Sequence, residues 1–142
     1  MKIVRTIAVL VLALTIAACR FPADPEGTTD EVEGAVLKVG ELSELGEADQ
    51  QAVALVAYNL SAEVRISRGD PHTLFNALEE GRLHLIAGAL PMDTPFAKDV
   101  ALTRPVGKLE RDGDQVDQVL AVRQGENAFL IRVDRAIKGM QP

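Results

Sequence analysis

Two apolar periodicities alternate along residues 35–88, and this alternation restricts the chain to a small set of folds. Three short segments have the patterns of β-strands, in which polar and apolar residues alternate or apolar residues follow one another without interruption: 35–42, 63–67 and 83–87. Between them, 47–60 and 71–81 repeat apolar residues at helical spacing on one face. The order β-α-β-α-β predicts a mostly parallel sheet with helices on both faces.

The second half of the sequence predicts further strands and a closing helix. A short fourth strand is expected over 99–103, a fifth over 117–123 and a helix over 128–138, while the charged segment 108–115 is typical of a turn. We therefore expect an α/β fold over 35–142. It would be a single three-layer lobe with a mostly parallel sheet of about five strands.

The first 18 residues have the pattern of a bacterial signal peptide. Lys2 and Arg5 precede an apolar stretch over 7–18. As a helix this stretch of about 12 residues would measure roughly 18 Å, too short for a hydrocarbon core of about 30 Å. We expect a secretory signal peptide over 1–18 rather than a transmembrane helix.

Cys19 is the single cysteine, and it follows the small residues Ala17 and Ala18. This arrangement resembles the bacterial lipobox, which implies a palmitate-type acyl modification of Cys19. The chain would then be a lipoprotein anchored to a bacterial membrane and facing the periplasm. An ordinary secretory signal with an incidental cysteine is the alternative. Residues 19–34 are rich in Pro, Gly, Asp, Glu and Thr, and they predict a flexible tether between lipid and lobe.

The charge of the mature chain excludes some partners. Of the 15 basic residues, Lys2 and Arg5 lie in the signal sequence, so 13 remain against 21 acidic ones and the net charge is −8. A surface of this sign repels nucleic acid and anionic lipid headgroups. Membrane attachment would therefore depend on the acylated Cys19.

The order of the motifs resembles a known family. Four segments are similar to the first lobe of family 3 extracellular solute-binding proteins: 37–40 (LKVG), 47–60, 74–88 and 94–105. A fifth segment, 119–137, is similar to the C-terminal strand and helix of that family. The resemblance implies a type II periplasmic binding protein fold. It also implies the role of substrate-binding component of an ABC transporter that imports amino acids or similar small solutes.

The resemblance covers one lobe where family members have two. Only residues 106–117 separate the last first-lobe motif from the C-terminal segment. About a dozen residues are too few for a second α/β lobe, because one βαβ unit takes about 30. We expect a solute-binding protein reduced to one lobe.

Candidate ligand-binding residues follow the first and third predicted strands, because open α/β sheets bind ligands at the carboxyl ends of their strands. The resemblance implies that the loop after the third strand binds a carboxylate through a backbone amide, a threonine and an arginine. Gly88, Ala89 and Thr94 match that pattern, and Lys98 stands near the place of the arginine without its bidentate fork. Glu41 and Ser43, at the carboxyl end of the first strand, complete the set. Alternatively, this loop only turns the chain, with Thr94 as a helix N-cap.

The sequence offers no chemistry beyond non-covalent binding. His72 and His84 lack metal-ligand spacing, and the sequence contains no Ser-His-Asp set or phosphate loop. We expect no cofactor, no metal site and no enzymatic activity. The alternative to solute binding is a protein-interaction or accessory module that has lost its solute. It would contact an envelope protein or a second copy of itself.

Overall fold

The computed structural model describes Met1 and residues 22–140. The predicted signal peptide and Cys19 lie outside the described residues. Four helices are described: α1 (Thr28–Val32), α2 (Glu47–Asn59), α3 (Pro71–Glu79) and α4 (Asn127–Ala136). Within residues 22–140, no helix combines the length and the apolar character needed to span a bilayer.

Six strands form one sheet in the order β2-β1-β3-β6-β4, with β5 also paired to β6: β1 (Val36–Glu41), β2 (Glu63–Arg68), β3 (Leu85–Pro91), β4 (Val100–Leu102), β5 (Gly107–Arg111) and β6 (Asp114–Arg123). β1 is parallel to β2 and β3, whereas β6 is antiparallel to β3, β4 and β5. Five strands therefore point the same way and β6 alone runs against them. This confirms the predicted α/β class and mostly parallel sheet, with six strands rather than about five.

Apolar side chains fill both sides of the sheet, as a three-layer lobe requires. On one side α2 and α4 pack on the sheet, and the buried cluster there includes Val39, Val56, Leu120 and Phe129. On the other side α3 covers a second cluster. α3 begins as its sequence predicts, because the Asp70 carboxylate accepts the Thr73 N–H at 3.1 Å.

The charged segment 108–115 forms a β-hairpin, which corrects the prediction of a turn-like loop. β5 and the start of β6 pair in register and are joined by Asp112 and Gly113, whose φ angles are 54° and 89°. Two residues with positive φ match the right-handed twist of adjacent strands, and Asp-Gly is a preferred pair at this place. The segment 106–117, in which the family resemblance would place a second lobe, thus contains a hairpin closed by a two-residue turn.

The described part of the expected tether is packed against the lobe. Val32, the last residue of α1, is fully buried, and the buried Glu126 carboxylate accepts the N–H groups of Glu26 at 3.1 Å and Thr28 at 3.0 Å. Each of these contacts joins residues about a hundred positions apart in the sequence. The local composition could not reveal them, so the ordered lobe extends further toward the N-terminus than residue 35.

A buried histidine lies beneath α1 where β1 and β3 begin. The His84 side chain is 2% exposed, and its Nε2 lies 3.2 Å from Oε1 of Glu31. Its Nδ1 accepts the Lys38 N–H at 3.2 Å, which fixes the neutral tautomer with the proton on Nε2. Burial lowers the pKa of His84 below its ordinary value of 6.5, although the Glu31 carboxylate opposes that shift.

This lowered pKa predicts a loss of stability on mild acidification. Below about pH 6.5 the unfolded chain binds a proton at His84 that the folded protein excludes, so the free energy of unfolding should fall until the folded-state pKa is reached. One proton limits the slope to about 1.4 kcal/mol per pH unit. Urea unfolding between pH 7.5 and 5.5 measures it, and His84→Gln should flatten the curve. The exposed His72→Gln is the control. An unchanged slope in His84→Gln would contradict the assignment.

Candidate functional site

The carboxyl ends of β1, β2 and β3 meet at one edge of the sheet, because these strands are parallel neighbours. We call this edge the carboxyl rim. A recess of about 150 Å³ opens there, lined by Glu41, Leu42, Ser43, Glu44, Arg68 and Gly69. Two of the predicted ligand-binding residues, Glu41 and Ser43, therefore line one recess together with an arginine.

Glu41 and Arg68 are cross-strand partners that form an ion pair in this recess. They are in register at the last positions of β1 and β2, and Arg68 Nε donates to Glu41 Oε2. The Glu41 side chain is 4% exposed, whereas that of Arg68 is 80% exposed. Glu41 also accepts the Leu45 N–H at 3.2 Å. The hydrogen bond from Arg68 holds the pKa of Glu41 below its ordinary value, and the same bond raises the pKa of Arg68.

Gly88 and Ala89 lie in an irregularity of β3 that turns their amides out of the sheet. The register of β3 against β6 shifts between Ile86 and Leu90, and the φ angles are 111° at Gly88 and 51° at Ala89. The loop after β1 passes so close to Gly88 that a Cβ there would lie 2.6 Å from the Ser43 carbonyl oxygen. This irregularity brings β3 into contact with the loop after β1.

Both amides of this irregularity are already bonded to a buried carboxylate. Asp49, in the first turn of α2 and 1% exposed, accepts the N–H of Gly88 and that of Ala89, each at 3.1 Å. Gln118 Nε2 donates to the same carboxylate at 2.8 Å. The donors that the family resemblance assigned to a solute's carboxylate are thus satisfied within the lobe.

Thr94 and Lys98 lie in the loop after β3 and do not line the recess. Thr94 is buried, and its hydroxyl accepts the Phe96 N–H at 3.4 Å. Phe96 stacks on Phe75 of α3, with ring centroids 4.0 Å apart and planes inclined by 11°. This local bonding favours the alternative in which the loop only turns the chain, but residues 95–99 form turns and not the helix that Thr94 was expected to cap. Lys98 is exposed.

Sequence reasoning missed Arg68 and Asp49 as parts of the rim. Arg68 directly follows the strand predicted over 63–67, at the carboxyl edge where ligand-binding residues were expected, so its position was a signal. Asp49 gave no local signal, because its partners lie 39 or more positions away. Among residues 22–140, no group of three or more His, Cys, Asp or Glu side chains is arranged to hold a metal ion.

Solved structures with this architecture include an isolated domain of TmArgBP and several periplasmic or ancestral amino-acid-binding proteins. The arginine-bound form of domain 1 from TmArgBP matches with a TM-score of 0.63 and 18% identity, over 74% of this chain and 93% of that chain. The chain has the fold of a periplasmic binding-protein domain. A Salmonella typhimurium periplasmic binding protein with high arginine specificity matches this lobe at a TM-score of 0.62 and 8% identity, over 73% and 92% of the two chains.

An ancestral arginine-binding protein bound to arginine matches at a TM-score of 0.62 and 11% identity, over 76% of this binding-protein lobe and 92% of that chain. Comparison with protein-family models and with curated proteins found no match. These identities are low enough that the likeness is one of fold. At that level the resemblance to one lobe of a solute-binding protein is confirmed.

Proposed function

We propose that this chain is a lipid-anchored envelope protein whose single lobe binds a small amino-acid-like solute without covalent chemistry. It would serve as the substrate-binding component of an ABC importer. The observation that carries the proposal is the match to domain 1 of TmArgBP over 93% of that domain, because that structure is an arginine-bound lone domain. A second lobe is therefore no precondition for a solute to occupy this fold.

The chemistry of the carboxyl rim supports this proposal. The recess combines the Arg68 guanidinium with the Glu41 and Glu44 carboxylates and the Ser43 hydroxyl. Groups of both signs and a hydroxyl suit a solute that has an ammonium and a carboxylate. Parallel sheets bind ligands at this edge. Glu41, Ser43 and the β3 irregularity at Gly88 and Ala89 remain proposed contacts, whereas Thr94 and Lys98 would act only on a solute that extends beyond the recess.

The position of the N-terminal segment supports an anchored lobe with an accessible rim. The Asp24 carboxylate accepts the Phe129 N–H at 2.9 Å where α4 begins. β6 is antiparallel to β3 and ends just before α4. The start of α4 therefore lies near the amino ends of the parallel strands. The six-residue β1 separates the two edges by about 20 Å. An acyl group on Cys19 would then leave the carboxyl rim facing away from the bilayer.

A second candidate function is an interaction module that has lost its solute. The observation that favours it is Asp49, whose carboxylate occupies the Gly88 and Ala89 amides. An open recess of about 150 Å³ is also small beside ligand pockets of about 300–1,000 Å³. An envelope protein or a second copy of the chain would then contact the rim.

Titration of the full-length protein in detergent with a panel of amino acids distinguishes the two functions. Because one lobe covers a solute from one side, we expect saturable binding with Kd of about 1 mM, or about −4 kcal/mol. Amide chemical shifts should change at Ser43, Glu44, Arg68 and Gly69. If no amino acid shifts these resonances at 20 mM, solute binding is excluded. Light scattering and cross-linking in membranes would then test the interaction module.

A further inference from the structure

We propose that the outer edge of β2 pairs with the same edge of a second copy of the chain, antiparallel and about a two-fold axis. The two sheets would then form one continuous sheet. This surface is the lateral edge of the sheet and is distinct from the carboxyl rim. The pairing is independent of the proposed function, because the edge forms whether or not a solute is bound.

The backbone of β2 has a row of hydrogen-bonding groups that face away from the sheet. Within residues 22–140, β2 is the outermost strand and only β1 lies beside it. The Glu63 N–H donates to the Ala35 carbonyl at 2.9 Å, so Glu63 and every second residue after it bond to β1. The N–H and C=O groups of Val64 and Ile66 therefore point outward. Groups in this position are a template for pairing with another strand.

The side chains on this edge are apolar and exposed, in contrast to those on the opposite edge. Val64 and Ile66 are 42% and 47% exposed, and they share one face of the sheet because they are two positions apart. β5, at the opposite edge beside β4, instead exposes Lys108, Glu110 and Arg111. Charges of this kind keep an edge strand from pairing. The β2 edge is therefore the better candidate for strand pairing.

Backbone geometry excludes a parallel pair of β2 strands. In a parallel ladder, a residue whose N–H and C=O groups face the neighbouring strand lies level with a residue whose groups face away. A two-fold axis along the strands would instead place Val64 level with Val64 of the second copy, and the groups of both face the interface. An antiparallel pair has no such conflict, because two residues of this kind exchange both hydrogen bonds.

Charge complementarity selects the register in which the two-fold axis passes through Val64. Glu63 of each copy then lies directly opposite Arg65 of the other, so the opposite-charge pair occurs twice. Within residues 22–140 neither of these side chains forms an ion pair. An axis at Arg65 would place the two guanidinium groups against each other. An axis at Ile66 would place Glu63 opposite Gly69, which has no charge.

The same register brings apolar side chains together on the other face of the sheet. Val64 lies against Val64 of the second copy, and Ile66 lies against Ala62. One short strand from each copy buries less than the roughly 1,200 Å² of a standard interface, so the dimer belongs to the weak class. We expect monomers in dilute solution and dimers at about 0.1–1 mM chain.

Antiparallel pairing also determines how the two rims are arranged. Because the strands of the two copies run in opposite directions, the carboxyl rims would lie at opposite ends of the joined sheet, and both would stay open. A dimer with both copies anchored would therefore lie with its strands along the bilayer, whereas a single anchored lobe points its rim away from it.

Sedimentation of the full-length protein in density-matched detergent tests the dimer. The wild type should change from monomer to dimer between about 0.01 and 1 mM. Val64→Lys places an ammonium group of each copy at the two-fold axis and should weaken dimerisation at least tenfold. Met92→Lys is the matched control, because it adds the same charge at an apolar residue that is 38% exposed and lies outside β2.

Amide hydrogen exchange of the wild type gives a second measurement. Exchange of the Val64 N–H should slow about two- to threefold over the same concentration range, because the dimer covers it. Exchange of the Arg65 N–H should not change, because that group already faces β1.

Reversal of the two charges tests the register. Glu63→Arg alone and Arg65→Glu alone each place like charges opposite each other and should weaken dimerisation at least tenfold. An equimolar mixture of the two variants should pair again, because each chain then supplies the charge that the other lacks. The double variant Glu63→Arg/Arg65→Glu should also pair with itself. If the mixture stays monomeric while the wild type forms dimers, the proposed register is wrong.

Two other results would overturn the pairing itself. One is a wild-type protein that stays monomeric up to about 1 mM. The other is a dimer that Val64→Lys leaves as stable as in the wild type, since a different surface would then form it. Should Val64→Lys fail to fold, the exchange of the Val64 amide in the wild type decides. No amino acid is present in these measurements, so loss of the dimer leaves the proposed function standing, and failure to bind amino acids leaves the dimer standing.

Discussion

Asp49→Ala is expected to lower the free energy of unfolding by about 3–4 kcal/mol. The carboxylate is 1% exposed and accepts three hydrogen bonds, from the amides of Gly88 and Ala89 and from Gln118 Nε2. Its removal leaves these donors unsatisfied, at about 1–3 kcal/mol for each buried group that water cannot reach. Urea unfolding followed by circular dichroism measures the change.

Glu47→Ala is the matched control for this prediction. Glu47 is in the same first helical turn and also has a favourable charge near the helix N-terminus, but it is exposed. Its replacement should cost no more than about 0.5–1 kcal/mol. If Asp49→Ala costs no more than Glu47→Ala, the three hydrogen bonds contribute little, and the rim is held by packing instead.

Asp49→Ala also tests whether the Asp49 carboxylate occupies a place that could otherwise hold the carboxylate of a solute, as the family resemblance implied. Asp49→Ala frees the Gly88 and Ala89 amides beside an open space the size of a carboxylate. Added formate should then restore stability to the variant and leave the wild type unaffected, because ligands that bind only the folded state stabilise it. A formate effect of equal size on both proteins would mean that these amides do not form an anion site.

The alternation of periodicities was enough to predict the parallel half of the sheet. β1, α2, β2 and α3 begin and end within one or two residues of the predicted segments, because each is bounded by a local signal such as the Asp70 cap or the Gly81 turn at φ 74°. β3 is displaced toward the C-terminus, ending at Pro91 rather than at Ala87. Its irregularity at Gly88 interrupts the apolar run on which the prediction depended.

Sequence reasoning missed two features of the fold, the hairpin at Asp112-Gly113 and the ordering of the N-terminal segment. Asp112-Gly113 is a recognised hairpin pair, yet the charges of 108–115 favoured a loop, and an edge hairpin tolerates such charges because its side chains face solvent. The N-terminal segment is ordered through Glu126, a partner outside its own neighbourhood.

The sequence could predict which edge of the sheet has the candidate site, but not which side chains pair there. Strand order fixes which strand ends lie together, and Glu41, Ser43 and Gly88 do lie near one another at the carboxyl rim; whether they contact a ligand stays a prediction. The pairing of Glu41 with Arg68 depends on the register between β1 and β2. A shift of one residue would have turned the arginine to the other face of the sheet.

Gly88→Ala is expected to destabilise the lobe by about 3–5 kcal/mol. Its φ of 111° lies in a region that is strained for any residue with a Cβ, which costs about 1–3 kcal/mol. The new Cβ would also lie 2.6 Å and 2.7 Å from the Ser43 oxygen and nitrogen. These are backbone atoms, so the loop after β1 must move as a whole, and overpacking of this kind adds about 1–3 kcal/mol.

Gly27→Ala separates the two contributions. Gly27 also has a positive φ, 74°, but a Cβ there meets nothing within 4 Å. It should cost only the conformational term of about 1 kcal/mol. The difference between the two variants, measured by urea unfolding, therefore gives the energetic cost of disturbing the contact between Gly88 in β3 and the loop after β1. Because that contact includes Ser43 in the recess, Gly88→Ala should also weaken solute binding at temperatures where the variant stays folded. Equal losses of stability in the two variants would mean that the loop after β1 moves away from β3 at little cost, and the carboxyl rim would then not be a rigid edge.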